Sequence, residues 1–351
     1  MSRLVFPVSK SRWEIYAYRL FYGLVAIILV LLSGCRKKPI PVSESSPDKS
    51  YQSQTTAQPQ AASTPGSTPL NFAALHVDGT IALHRARTIC NLGSRAYATP
   101  GYRQTLAYLR SELTRLGWNT VFQAFDAPTP LGPRTYTNLI ATWPIEKGAP
   151  IPKNRLILSA HYDSPGSALT TFPAASSSSA GCGILLEIAE RLKNFPALAS
   201  RLTLVFFDGE EPTQQISATD GLSGSRFFLH TLQENGQIPQ IRALVAFGAI
   251  GHRGAHWTLP TLTDSNLNQA LQAFSDSQKW ENQIIPLGRP SWGPHLPALQ
   301  AGIPALYLHD ALYPALGTAD DTSDQLNAES LRRATLASLQ FLTLPPVHNT
   351  N

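Results

Sequence analysis

Several absences narrow the reading of this sequence. Only 3 of its 351 residues are cysteine, too few for a disulfide-stapled scaffold. The net charge is +5, but all of it falls early. The first 70 residues hold 8 Lys/Arg and 3 Asp/Glu, and the other 281 hold 20 of each. Beyond residue 70 no basic run exceeds Arg332-Arg333. A protein that reads nucleic-acid phosphates needs clustered cations, so the sequence argues against nucleic acid as a partner. The apolar run Leu20 to Leu32 is shorter than the roughly 20 residues of a membrane-spanning helix. There is no internal repeat. There is also no Gly-x-Ser-x-Gly elbow, which argues against a hydrolase built on Ser177 and His161.

The N-terminus reads as an address. Arg3, Lys10, Arg12 and Arg19 precede the apolar run, and Ser33 and Gly34 follow it, the order of a secretory signal. Leu32-Ser33-Gly34-Cys35 resembles a bacterial lipobox. That resemblance implies a signal over 1–35, lipid on Cys35, and attachment to a bacterial cell envelope at the outer membrane or periplasmic face. Of the 31 residues 39–69, 21 are Pro, Ser, Thr or Gln. Such a stretch buries too little to offset its ordering entropy, so 36–70 is expected to be a disordered tether. Residues 71–351 are expected to form the domain.

Within the domain, Leu106, Leu109, Leu113 and Leu116 recur at helical spacing, and Gly117 closes that helix. Helical patterns also cover Gly183 to Leu192 and a final stretch to Leu342, which Asn327 can cap. Thr120–Phe122, Thr137–Ile140, Arg155–Leu158, Leu202–Phe207, Ala243–Phe247 and Ala305–Leu308 read as strands. The alternation predicts an α/β three-layer sandwich with a mostly parallel central sheet and helices on both faces. Sites in such folds lie at strand carboxyl ends. Polar clusters fall there: His161-Tyr162-Asp163-Ser164, Asp208-Gly209-Glu210-Glu211, and His309 to Asp321. Paired Glu after a buried strand suits a hydrolytic metal site, where one binds metal and the other moves a proton. It also suits a solvated acidic turn. Cys90 and Cys182 read more readily as two buried thiols than as a disulfide.

These clusters lie in a longer series. It contains Leu92-Gly93-Ser94-Arg95, Thr99-Pro100-Gly101, Thr129-Pro130-Leu131-Gly132-Pro133-Arg134-Thr135-Tyr136-Thr137-Asn138-Leu139-Ile140, Gly221-Leu222-Ser223-Gly224-Ser225-Arg226, His295-Leu296-Pro297, Gly302-Ile303-Pro304-Ala305-Leu306 and Thr318-Ala319-Asp320-Asp321. In order and spacing, the series resembles the glutaminyl cyclases (glutaminyl-peptide cyclotransferases), which share the zinc aminopeptidase fold. The resemblance spans nearly all of residues 80–345. It implies an aminoacyltransferase that closes an N-terminal glutamine to pyroglutamate. In such an enzyme one zinc polarises the γ-carbonyl, and Asp, Glu and His ligands hold the metal. Glu210 then matches the proton shuttle, and Glu211 the zinc-binding Glu.

The other key positions do not match. Ser177 stands where the resemblance implies the ligand Asp, and Gly317 where it implies the ligand His. Val245 stands where it implies a second catalytic acid, and no Asp or Glu occurs between Glu234 and Asp264. One carboxylate does not hold a catalytic zinc, which normally takes three protein ligands. The expectation is a zinc-free, catalytically degenerate domain, a pseudoenzyme that binds peptide or protein N-termini. Its pocket would draw on His161, Asp163, His295, Asp320 and Asp321. The alternative is an active cyclotransferase or aminopeptidase-like metalloenzyme, with zinc in a site rebuilt from residues such as His161, Asp163, His295, His309 and Asp310. Ile216 and Leu316 replace expected pocket Trp residues, and Trp257 and Trp292 could still line a cleft.

Overall fold

Six apolar segments pair into one sheet. They are β1 (Asn119–Ala127), β2 (Arg134–Thr142), β3 (Arg155–His161), β4 (Leu202–Phe207), β5 (Ile241–Phe247) and β6 (Ala305–Leu308), in the order β1-β2-β4-β3-β5-β6. The neighbours β4, β3, β5 and β6 run parallel. β2 runs antiparallel to both β4 and β1. This computed structural model describes residues 75–343 except 151, 168 and 169, all within the unit Pro65–Asn351. The expected signal, Cys35 and the tether lie outside the described residues.

Every residue of β4 and β5 is buried. Strands covered on both faces carry apolar side chains at successive positions, which explains their unbroken hydrophobic runs. Val245 and Phe247 enter one core with Leu156, Leu158 and Ala160, whereas Leu244 and Ala246 enter another with Ile157, Val205 and Phe207. The first core is packed by α1 (Thr80–Asn91), α2 (Pro100–Arg115), α3 (Ala180–Leu192), α5 (Ser265–Ser277) and α7 (Ala328–Gln340). The second is packed by α4 (Ser223–Glu234) and α6 (His295–Gln300). The result is the expected three-layer sandwich. Helix ends follow their signals. The Thr99 hydroxyl accepts the Tyr102 N–H ahead of α2, and the Asn327 carboxamide accepts the Glu329 and Ser330 N–H groups ahead of α7. Caps of this kind stabilise by about 1 kcal/mol each.

β3 is the switch point. From it the chain moves to β4 on one side and later to β5 on the other. The crevice at such a point is the natural binding place in an open α/β sheet. The turns after β3, β4, β5 and β6 meet there. One further element shapes the crevice: a π-helix over Ala175–Ser179, all buried and entered through Ala174 at φ 47°. Single π-turns of this kind concentrate at functional sites.

Candidate functional site

The turn after β3 carries His161 and Asp163, both buried. The His161 Nδ1 lies 3.2 Å from the Asp163 carboxylate, and its Nε2 lies 3.0 Å from the Ser177 carbonyl oxygen. Both partners are acceptors, so both ring nitrogens carry protons and His161 is an imidazolium. Burial alone would lower its pKa. The Asp163 hydrogen bond and charge, with Glu211 and Glu210 beyond, lift it to about 9. The other Asp163 oxygen accepts the Glu211 N–H at 2.9 Å, which ties the β3 and β4 turns together.

The Glu pair divides. Both Glu210 oxygens are taken by Ser225 in the first turn of α4, from its N–H at 2.7 Å and its hydroxyl at 3.0 Å. Burial still lifts Glu210 to about 8 against those bonds. Glu211 is half-buried, and its carboxylate lines a cavity of about 260 Å³ together with Tyr97, Arg134, Tyr136, Asp163 and Asp208. Burial lifts Glu211 to about 7, with His161 opposing and Asp163 adding. Asp208, also raised by burial and by Asp163, accepts from the Tyr102 hydroxyl and the Thr137 N–H.

The π-helix is bound on its far side by Asp321. That buried carboxylate accepts the Ser176 N–H at 2.7 Å, the Ser177 N–H at 3.0 Å and the Ser177 hydroxyl at 2.8 Å. Ser176 begins a second chain. Its Oγ accepts the Gly251 and His252 N–H groups at 3.0 and 3.1 Å and lies 3.0 Å from the His252 Nδ1. The His252 Nε2 is 3.3 Å from Asp310. With these partners the Ser176 hydroxyl donates to Nδ1, and the Nε2–H faces Asp310. The order resembles a Ser-His-Asp triad. Ser176 has no accessible surface, however, and its oxygen is already committed, so the chain anchors the π-helix.

A sequence profile of Peptidase family M28 matches residues 138–342. The chain belongs to peptidase family M28. It is 27% identical over 278 residues to the glutaminyl-peptide cyclotransferase-like protein of Bos taurus, covering 71% of each chain. The fold is shared with a glutaminyl cyclase from an Acidobacteriales bacterium, at TM-score 0.68 and 23% identity, over 81% of this chain and 99% of that one. It is also shared with a Zn-dependent exopeptidase from Parabacteroides distasonis, at TM-score 0.67 and 18% identity, over 77% and 99% of the two chains. The glutaminyl cyclase-like resemblance and the zinc-peptidase-like fold therefore hold.

Zinc, which this branch of M28 implies, does not fit the residues present. The Ser177 hydroxyl is donated to Asp321, and His161 offers no lone pair. That leaves the carboxylates of Asp163 and Glu211, fewer than the three protein ligands a catalytic zinc normally takes. Among the described residues, no group of three or more His, Cys, Asp or Glu side chains is placed to hold a metal. Gly317 is exposed, sits at φ +69°, and has nothing within 4 Å of where a Cβ would be. A His there would begin from strained backbone in open space.

Other expectations are corrected. Val245 packs in the apolar core beside Leu158 and Leu306, roughly 7 Å below the strand end at about 3.3 Å per residue. An acid there would be buried among hydrocarbon. The residue level with His161 is Gly248, where a Cβ would meet the Tyr307 hydroxyl and the His309 Nδ1 at 2.5 Å. His295 is fully buried, stacked 5.1 Å from the Tyr307 ring, and lowered to about 4 by burial. It does not line the cavity. His309 is also lowered to about 4, chiefly by burial, and its Nδ1 accepts the Ala249 N–H. Asp320 is exposed, and Asp321 serves the π-helix rather than the cavity. Trp257 is core and Trp292 is exposed, so neither lines the cleft. Cys90 and Cys182 are free thiols, with Cys90 only half-buried. The Arg134–Tyr97 pair, the Ser176–His252–Asp310 chain and the anchoring roles of Arg95 and Asp321 were not foreseen. Arg134 and Arg95 stood inside quoted motifs, but nothing local marked what they would meet.

Proposed function

We propose that this protein is a glutaminyl cyclase-like M28 member that no longer holds zinc or forms pyroglutamate, and that binds peptide or protein N-termini through its cleft. The observation that carries this reading is the Ser177–Asp321 bond. Where the resemblance implies a ligand carboxylate, a hydroxyl is turned away and satisfied. Glu211 then faces the cavity with no metal partner, beside Asp163. Crowded carboxylates resist full ionisation, and an α-ammonium against Glu211 would relieve that crowding. The second reading, an active cyclotransferase, is favoured by the retained Glu210-Glu211 pair and by the likeness to the Bos taurus protein.

Elemental analysis of the purified full-length protein, with turnover of a Gln-initiated peptide, separates the two. Zinc far below one per chain and no pyroglutamate product are expected. Stoichiometric zinc with turnover would establish the active enzyme instead.

The same reading places the domain in a bacterial cell envelope, held by lipid on Cys35. Replacing Cys35 by Ser should move the protein from the membrane to the soluble fraction of fractionated cells. Unchanged membrane association would rule out the lipid anchor.

A further inference from the structure

The cavity beside Glu211 carries charges of both signs that do not neutralise each other. Glu211 lies at one part of its wall, and its carboxylate makes no hydrogen bond or ion pair among the described residues. Asp163 and Asp208 share the wall, but their oxygens are used by His161, the Glu211 N–H, Tyr102, Thr137 and Gly209. Arg134 lies on the same wall. It has no carboxylate within 4 Å among the described residues, in contrast to Arg85, Arg115, Arg191, Arg332 and Arg333, which are paired. Its guanidinium sits 4.7 Å above the centre of the Tyr97 ring and interacts with the Tyr136 hydroxyl. Stacking of this kind holds the planar fork in position, and N–H groups beyond the one facing Tyr136 remain for a ligand.

Asp208 is held by neutral donors, so the groups open to a ligand are the Arg134 guanidinium and the Glu211 carboxylate, the electrostatic complement of a zwitterion. We propose that this cavity binds a small molecule with a free α-ammonium and a free carboxylate, a free amino acid or a dipeptide, with the ammonium on Glu211 and the carboxylate on Arg134. This rests on the peptide N-terminus reading above and narrows it, because an N-terminal residue of a long chain carries no carboxylate at that distance. Arg and carboxylate meet through two parallel charge-assisted hydrogen bonds, the stronger class of such contact. Lys at the same place offers a point charge without the fork. The ligand fixes its own orientation, since reversal would set carboxylate against Glu211 and ammonium against Arg134. The cavity volume of about 260 Å³ is of the size of one or two residues.

Calorimetric titration of the full-length protein tests this with five probes: glutamine, Gln-Gly, Gln-Gly-amide, N-acetyl-Gln-Gly and Gln-Gly-Gly-Gly-Gly. Gln-Gly or free glutamine should bind at least tenfold more tightly than the amide and the pentapeptide, and the tighter of the two names the source. Arg134→Gln should erase the difference between Gln-Gly and its amide. Arg134→Lys should restore part of it, with melting temperature unchanged in both variants. Equal affinity for Gln-Gly and its amide on the wild type would overturn the zwitterion assignment and leave N-terminus binding intact. N-acetyl-Gln-Gly binding as tightly as Gln-Gly would overturn both readings, as would no binding of any probe.

Discussion

Arg95→Ala should lower stability by about 3 kcal/mol, since a buried acceptor left unpaired costs about 1–3 kcal/mol and truncating a large buried side chain adds a cavity cost. Arg95 is wholly buried and has no carboxylate within 4 Å among the described residues. Its charge is spread over carbonyl oxygens instead. Nε donates to Tyr162 at 3.0 Å, Nη1 to Gly93 at 3.2 Å, and Nη2 to Pro173 and Ala174 at 2.8 and 3.0 Å. Those carbonyls belong to the loop after α1, the end of β3 and the entry to the π-helix. Its backbone joins the same junction, donating to the Ser164 hydroxyl and accepting the Ser164 N–H. Burial lowers the Arg95 pKa. An arginine starts so high that it keeps its charge. Truncation would leave the buried Tyr162 carbonyl unpaired, cut the ties to Pro173 and Ala174, and open a side-chain-sized void. For a domain of this length the loss corresponds to a fall of about 10 °C in melting temperature. Arg95→Lys should recover part of it, because an ammonium reaches fewer of the four carbonyls. A loss below about 1 kcal/mol for Arg95→Ala would show that the junction does not depend on this cation.

Asp321→Ala should cost about 4 kcal/mol, and Ser177→Ala only about 1 kcal/mol. The two share one hydrogen bond, so the contrast isolates what else Asp321 does. Its carboxylate also accepts the Ser176 and Ser177 N–H groups and the Tyr313 hydroxyl, the last at 3.2 Å. Its own carbonyl accepts the Ala175 N–H. Without the carboxylate, two backbone N–H groups of the π-helix stay buried and unpaired, at about 1–3 kcal/mol each. Asp321→Asn should be nearly as harmful, because its NH₂ group must face an N–H donor. Chemical denaturation of the three variants reads these differences. Equal losses for Asp321→Ala and Ser177→Ala would mean that the backbone bonds contribute nothing. Asp321 ties the π-helix to the loop that carries Gly317, joining two of the segments where the resemblance implies zinc ligands.

The fold was legible because burial imposes a pattern on sequence. Leu202–Phe207 has to be apolar at every position to lie covered on both faces, and it reads as such. Thr99 and Asn327 announce the helices they cap, since an unpaired helix terminus needs a side-chain acceptor. Glu210 and Glu211 were legible as a pair after a strand, and the missing acids as gaps in a motif. The division of labour between the pair was not legible. Neighbouring residues at a strand end point in different directions, and only the packing of α4 turned Glu210 onto Ser225. The depth of Val245 was not legible for a related reason. A gap in a motif gives a count along the chain, whereas depth in a strand follows from register with its neighbours. The β3 and β6 partners, Leu158 and Leu306, set Val245 in the core.

The sequence by itself determined the layered α/β architecture and the neutral body behind a basic N-terminal segment. These are properties of composition and periodicity, which any fold of this chain must respect. The tertiary structure decided how Ser177 and Glu211 are partnered. Asp321 meets Ser177 across 144 residues of chain, and Arg134 at the start of β2 shares one cavity with Glu211 in the turn after β4. Such meetings depend on how distant segments close on one another, and no local spacing encodes them.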